Sequence, residues 1–302
     1  MVLSVNQFYK SIFHKKTYKL SLDAGCTCPN RDGTCGIGGC IFCGAAGAGE
    51  FTASRLSSDK NQIQSISDQI EEAKSIVGKK IGSEGAVYIA YFQSFTNTYG
   101  ETDLLFDLWD KALSCKDVVG IAIATRPDCL SNECLEKLAF LADKYFVQVE
   151  LGLQTANDVI ANQINRGYKT TVYQEAVAKL HLASKKIHVV THVIFGLPNE
   201  SHDSMMETVK LAVSSKSDGI KITSLYVLRD TVLQEIYEKG DYTPLTEDEY
   251  FFLLKDALLL IPENIVIHRL SGDPPKRLLI APQWPCNKKR ILNKLKKLIS
   301  SY

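Results

Sequence analysis

Three cysteines, Cys28, Cys40 and Cys43, stand in the pattern C-x11-C-x2-C, with a glycine-rich stretch between the first two. Thiolates are soft ligands that suit zinc and iron–sulfur clusters. The closing C-x2-C alone suggests structural zinc, for which Cys26 or Cys35 would be the fourth ligand. Three thiolates are also one short of the four that usually hold a [4Fe–4S] cluster. A cluster left with one uncapped iron can bind a small molecule there, so the missing ligand would itself be functional.

Residues with such a task need a rigid frame, and the chain supplies a regular one. Strand-like runs at Tyr18–Asp23, Ala86–Phe92, Gly120–Ala124, Phe146–Leu151, His188–Phe195 and Gly219–Leu225 alternate with helical stretches. The helices are expected near Asn61–Val77, Asp103–Ser114, Asn132–Lys144, Tyr173–Ser184 and Ser204–Ser215. Six such alternations predict an α/β fold with a parallel sheet and helices outside it. Beyond Leu225 the pattern changes: Thr231–Glu238 and Glu247–Leu260 read as helices, the second opened by a capping box at Thr246 and Glu249. Asn264–His268 is a candidate further strand, and Ile291, Leu292, Leu295, Leu298 and Ile299 have helical spacing. The expected organisation is an N-terminal segment 1–17, a core domain 18–225 and a C-terminal extension 226–302 with a basic tail.

Composition bounds the class. A chain of 302 residues with 45% hydrophobic and 23% charged residues can bury one large core. No apolar run is long enough to span a bilayer and no secretory leader is visible, so a cytoplasmic protein without membrane association is expected. Nine cysteines, an odd number, argue for thiols and a metal site over a disulfide framework. Eight lysines and arginines and no acidic residue follow Asp273, although the whole chain carries only +1. That segment is either a solvated helix face or a seat for a polyanion.

The cysteine loop resembles the cluster loop of radical S-adenosylmethionine (radical SAM) enzymes. Its spacing is wider than their usual C-x3-C-x2-C, as in the branch related to the Elongator catalytic subunit. Asp23-Ala24-Gly25 followed by Cys28-Pro29-Asn30-Arg31-Asp32-Gly33 closely resembles the YhcC-type bacterial family of that branch. The stretches Ala90–Tyr99, Ala124–Leu130, Glu150–Thr155, His192–Pro198 and His268–Asp273 look like further signatures of it. Together they run in order along nearly the whole chain.

The resemblance implies a partial (β/α)6 TIM-like barrel of the radical SAM type with a C-terminal helical extension. It implies a [4Fe–4S] cluster on Cys28, Cys40 and Cys43, with S-adenosylmethionine bound at the open iron. Gln93 and Ser94, with Thr96, follow the second strand, where the superfamily contacts the cofactor's amino group. Thr125 and Arg126 end the third strand, and Glu150 and Gln154 the fourth. The spacing of Gln154 to Arg166 resembles oxygen-independent coproporphyrinogen oxidase, in which the glutamine bonds ribose and the arginine pairs with the methionine carboxylate. A planar guanidinium suits that task. Ile194 and the backbone of Phe42 would lie against adenine, with Gly196 allowing close approach. No residue is assigned as catalytic, and His192 is left without a role.

The expected activity is reductive cleavage of S-adenosylmethionine to a 5′-deoxyadenosyl radical that abstracts hydrogen from a substrate. Relatedness to the Elongator subunit implies tRNA, at the 5-position side chain of wobble uridine, with conversion of carboxymethylaminomethyl to aminomethyl as the step. The basic tail would contact tRNA phosphates, and an electron donor such as flavodoxin or ferredoxin would be needed. Two alternatives stand beside it: a radical SAM enzyme acting on a porphyrin or small carboxylated metabolite, and a non-enzymatic zinc or redox module. Glu150 could instead be an interior carboxylate with a structural partner, and Gln154 and Arg166 an ordinary hydrogen bond and surface charge.

Overall fold

The computed structural model describes residues 2–47, 52, 64–81 and 85–300. Its main sheet has seven strands in the order β1 (Thr17–Leu22), β2 (Val87–Phe92), β3 (Val118–Thr125), β4 (Phe146–Gln154), β5 (Ile187–Phe195), β6 (Gly219–Ser224) and β8 (Val266–Arg269). Every neighbouring pair is parallel. A two-residue strand β7 (Val227–Leu228) pairs antiparallel with β9 (Leu279–Ala281). The helices are α1 (Val5–Phe13), α2 (Ile66–Ile81), α3 (Thr102–Ser114), α4 (Asn132–Ala142), α5 (Asp158–Gln163), α6 (Thr170–Ala183), α7 (His202–Ser214), α8 (Val232–Glu238), α9 (Glu247–Leu260) and α10 (Lys288–Ile299).

Parallel strands joined by crossover helices are covered on both faces, which is why β2 is buried at every position. Alternation splits those residues between two environments. Leu20, Leu22, Tyr88, Ala90, Phe92, Ile121 and Ile123 pack outward with the apolar stripes of the helices, where Trp109 of α3 and Leu138 of α4 are fully buried. Ile89, Tyr91 and Ala122 point inward and meet Tyr9 of α1. The sheet is curled into a half-barrel. Side chains of β1 and β6 both reach the carboxylate of Glu150 on β4, a meeting that a flat sheet would forbid.

The sequence reading of six core strands is met, and Asn264–His268 supplies the seventh as β8. Residues 61–63 of the helix expected near Asn61–Val77 lie outside the described residues; α2 runs Ile66–Ile81. The capping box of α9 forms, the Thr246 side chain taking the Glu249 amide while Glu249 returns to the Thr246 amide. Helix α1, within the expected N-terminal segment, carries a second capping box at Ser4 and Gln7. The chain just before it lies beside β8, with the Ile267 amide donating to the Leu3 carbonyl at 2.8 Å. Helix α1 thereby closes the base of the barrel with Phe8, Tyr9 and Phe13 packed on Phe146, His188 and His268. Among the described residues, no helix is long and apolar enough to cross a membrane.

Candidate cluster and cofactor site

In a parallel α/β sheet the carboxyl ends of the strands form the site, and the cysteine loop leaves β1 at that end. The residues between Cys28 and Cys40 make a closed excursion. The Cys35 amide donates to the Pro29 carbonyl at 2.7 Å and the Gly39 amide to the Asn30 carbonyl at 2.8 Å. Asp32 and Ile37 pair as an antiparallel bridge within it. Chain leaving Cys28 is thus returned to the same place before Cys40. The turn back uses Gly38 and Gly39 at φ 81° and 80°, a region open to glycine at little cost.

Side chains fix the base of this finger. Asn30 is fully buried, and its amide donates to the Asn165 carbonyl at 2.6 Å, with its nitrogen 3.9 Å from the Cys40 sulfur. Asn165 answers with bonds to the Gly39 and Ile37 carbonyls at 2.8 and 3.3 Å. Arg31 approaches the Cys43 sulfur at 3.6 Å and donates to the Gly44 carbonyl at 2.8 Å. The Ile41 amide donates to the Ile164 carbonyl, and the Leu233 amide of α8 to the Ile41 carbonyl. Three separate elements therefore hold the C-x2-C segment.

The donor set fits an iron–sulfur cluster. Cys28, Cys40 and Cys43 lie within electrostatic reach of one another: burial pushes the Cys40 thiol up to about 12, and the neighbouring thiols of Cys43 and Cys28 add to it. Burial also raises the Cys43 thiol, opposed by Arg31. Thiols so placed are stabilised as thiolates when iron replaces their protons. Among the described residues, no three His, Cys, Asp or Glu side chains converge on a point that one metal ion could occupy. Cys35 is exposed, while burial and Asp23 push the Cys26 thiol up to about 12.

The other sequence candidates distribute unevenly. Gln93 follows β2, with its carbonyl taking the Ser21 hydroxyl at 3.1 Å. Ser94 is fully buried and its hydroxyl meets no described partner; such an orphan at the barrel mouth can be satisfied by a ligand. Thr125 ends β3, its hydroxyl 2.5 Å from that of Thr98. Gln154 ends β4 across a bulge, at φ 59°, with its carbonyl accepting from the Tyr168 hydroxyl. Phe42 and Ile194 both pack on one apolar cluster, with Ile41, Leu197, Leu225 and Leu233.

Two expectations need correction. Glu150 does not end β4; it sits mid-strand and points into the lumen, where its side chain is fully buried. There it accepts from Lys19 at 2.7 Å, Gln148 at 2.6 Å, Tyr91 at 2.6 Å and Lys221, with His192 at 2.8 Å. Its carboxyl is held well below the usual range: Lys19 and Lys221 outweigh the burial. Arg166, 1% exposed, spends its donors on the chain itself. They go to the carbonyls of Leu153, Thr155 and Tyr168, to Asp158 at 3.1 Å and to the Thr170 hydroxyl. A guanidinium has five N–H groups, so no free fork remains for a cofactor carboxylate. Arg166 positions the end of β4.

Lys19, Lys221 and Arg269 escaped the sequence reading. The signal was present: Lys19 and Lys221 interrupt strand runs predicted to be buried, and a charge there must be paired. The ammonium of Lys221 is pushed down to about 7, chiefly by burial, with Glu150 opposing and Lys19 and Arg269 adding to it.

Residues 28–212 match the Radical SAM superfamily and residues 217–300 the Radical_SAM C-terminal domain. The protein YtqA of Bacillus subtilis, itself uncharacterized, is 41% identical over 97% of this chain and 88% of its own length. YhcC of Escherichia coli is 32% identical over 90% of this chain and 84% of its own. A tRNA uridine(34) acetyltransferase of Dehalococcoides mccartyi is 28% identical over 52% of this chain, which spans 34% of that protein. The archaeal Methanocaldococcus infernus Elp3 has the same fold, with a TM-score of 0.62 at 16% identity over 93% of this chain and 63% of its own. With both family matches in register on the half-barrel, this chain belongs to the radical SAM superfamily, whose enzymes use a [4Fe–4S] cluster and S-adenosylmethionine.

Proposed function

We propose that this enzyme modifies the 5-position side chain of a tRNA wobble uridine, converting a carboxymethylaminomethyl group to aminomethyl. What supports the reading is one observation: about half of the chain is 28% identical to a tRNA uridine(34) acetyltransferase. Membership in the superfamily retires the zinc-module alternative.

With cluster and S-adenosylmethionine bound, the chemistry supplied is a 5′-deoxyadenosyl radical able to take a hydrogen atom from substrate. Cys28, Cys40 and Cys43 would hold the cluster on the braced loop. Phe42 and Ile194 would flank adenine, and Ser94, Gln93, Thr125 and Gln154 would offer polar contacts at the mouth. The protein's share of the work is orientation and exclusion of water. A hydrogen atom taken from the carbon between the amine and the carboxylate, with the second electron passing to the oxidised cluster, would leave an imine that water would hydrolyse to the aminomethyl group and glyoxylate.

Recognition of tRNA would fall in part to α10. Ile291 and Leu295 are buried against the core, and Lys288, Arg290 and Lys294 pair with Asp273, Glu247 and Asp248. Lys289, Lys296 and Lys297 are exposed and form no ion pair with a described residue, leaving them for phosphates. The internal pairing favours a second reading, a small carboxylated substrate, because the tail offers less free charge than its composition implies.

The test is anaerobic reconstitution with iron, sulfide, S-adenosylmethionine and a reductant (dithionite, or flavodoxin or ferredoxin as donor), using tRNA that carries carboxymethylaminomethyluridine. Aminomethyluridine together with 5′-deoxyadenosine is the expected product pair. Formation of 5′-deoxyadenosine with tRNA nucleosides unchanged would reject tRNA and bring the small-molecule reading forward.

A further inference from the structure

The lumen gathers more basic side chains than carboxylates. Lys19 and Lys221 approach Glu150 from opposite sides, both ammonium groups 4.8 Å from the centre of the Tyr91 ring. Among the described residues Lys19 spends one donor, on Glu150. Lys221 spends two, on Glu150 and on the Tyr91 hydroxyl at 3.2 Å. Arg269 ends β8 as the register partner of Lys221 and is exposed. Its charge acts on Lys19, Tyr91 and Lys221, and it forms no hydrogen bond or ion pair with a described residue. One carboxylate thus faces three basic side chains, of which Lys221 is pushed down to about 7 and Arg269 is exposed at the end of β8.

Unpaired charge in a low-dielectric space is costly and is normally matched by a counter-charge. The lysine side chains are 19% and 10% exposed, and His192, on the same layer, is 35% exposed, so the group is reachable. The layer of Ser21 and Ile194 lies two residues further along β1 and β5. At the usual rise per residue that is roughly 7 Å nearer the mouth.

We propose that Lys19, Lys221 and Arg269, set by Glu150 and Tyr91, form the seat for a carboxylate of the substrate inside the barrel, one side-chain layer beneath Ser21 and Ile194. Arg269 supplies a planar fork and the lysines supply point charges with unspent donors. Glu150 holds the ammonium groups apart and in place, which makes it a positioning residue. The uridine reading determines only what the carboxylate is attached to; the seat itself follows from the lumen.

The test is calorimetric titration of the anaerobically reconstituted enzyme, with S-adenosylmethionine present, using N-methylglycine and its carboxamide, both protonated on the amine and differing only in the carboxylate, as probes. The acid is expected to bind at least about tenfold tighter than the amide. Arg269→Gln, which leaves every partner of Glu150 in place, should erase that preference, as should Lys221→Met. Thermal unfolding checks that each variant is folded, and Arg269→Gln decides if Lys221→Met is not. A wild type without preference for the acid, or a preference that survives Arg269→Gln, overturns the seat. So does inorganic phosphate displacing N-methylglycine more readily than acetate does. Turnover of modified tRNA is scored separately: binding of the acid without turnover rejects the uridine reading and leaves the seat standing. Turnover without acid preference does the reverse.

Discussion

The two ends of the barrel are built from different materials. At the base, rings from α1 stack on rings from β4, β5 and β8, with Phe8 4.6 Å from His188 and the Tyr9 hydroxyl bonded to Gln148 at 3.0 Å. At the mouth, Phe95 and Gln154 are held at φ 58° and 59°. Buried oxygens of Asn30, Ser94, Glu200 and Ser224 have no described partner. Left-handed backbone and orphan polar atoms each cost free energy. The mouth holds the larger share of them, although His14, Asp117 and Lys216 at the base are also left-handed and the His268 Nδ1 there has no described partner either; the packed rings of the base offset part of the cost.

That contrast can be broken most directly at the cysteines. Cys28→Ala, Cys40→Ala or Cys43→Ala should abolish cluster incorporation and 5′-deoxyadenosine formation while shifting urea unfolding by less than about 1 kcal/mol, since a loop thiol carries little packing. Iron content, product assay and denaturation together check it; a cluster that survives Cys28→Ala would displace that residue from the ligand set. Between the two ends, Glu150→Gln should cost about 3–5 kcal/mol, the penalty for stranding buried cations, measured by the same denaturation. Tyr9→Ala at the base should cost a similar or slightly smaller amount, roughly 3–4 kcal/mol, with the cluster still assembling. Loss of activity at unchanged stability would show that the base is not merely structural.

Arg166→Lys sharpens the assignment at the end of β4. Lost donors to Leu153 and Thr155 should lower stability by roughly 1–3 kcal/mol. Were Arg166 instead a cofactor ligand, the KM for S-adenosylmethionine would rise with stability unchanged. The smallest effect concerns Glu200, which takes the Thr155 hydroxyl at 2.5 Å and whose carboxyl burial pushes up to about 7. The folded protein keeps a proton there that the unfolded chain releases near the ordinary 4.5, so stability falls as pH rises through that window. Glu200→Gln should therefore be more stable than wild type by roughly 1–3 kcal/mol at pH 8 and about equal at pH 4. Equal stability at both values would mean the carboxyl ionises freely.

What could be read in advance follows the range of the forces involved. The strands were legible because β-branched runs buried on both faces are local in sequence, and α9 because its cap and its stripe are too. Helix α1 was missed although Val5, Phe8, Tyr9, Ile12 and Phe13 have helical spacing behind Ser4 and Gln7. Its apolar face is spent on the barrel base, against Phe146 and the lumen side of β2 and β3, partners far along the chain. Helix α5, six residues long, is too short for periodicity to register. The cysteines could be found because metal ligands must be particular residue types. Arg166 and Glu150 were misjudged for the opposite reason. A guanidinium committed to five acceptors and one free to bind a ligand have the same letter, and the difference lies in partners far along the chain.

The closed finger between Cys28 and Cys40 separates distance along the chain from distance in space. Because the Gly39 amide returns to Asn30, the finger can lengthen or shorten at its tip while the sulfurs keep their positions. Closing a longer loop costs only about 0.6 kcal/mol per doubling of its length. Cysteine spacing is therefore a poor ruler of descent among such proteins.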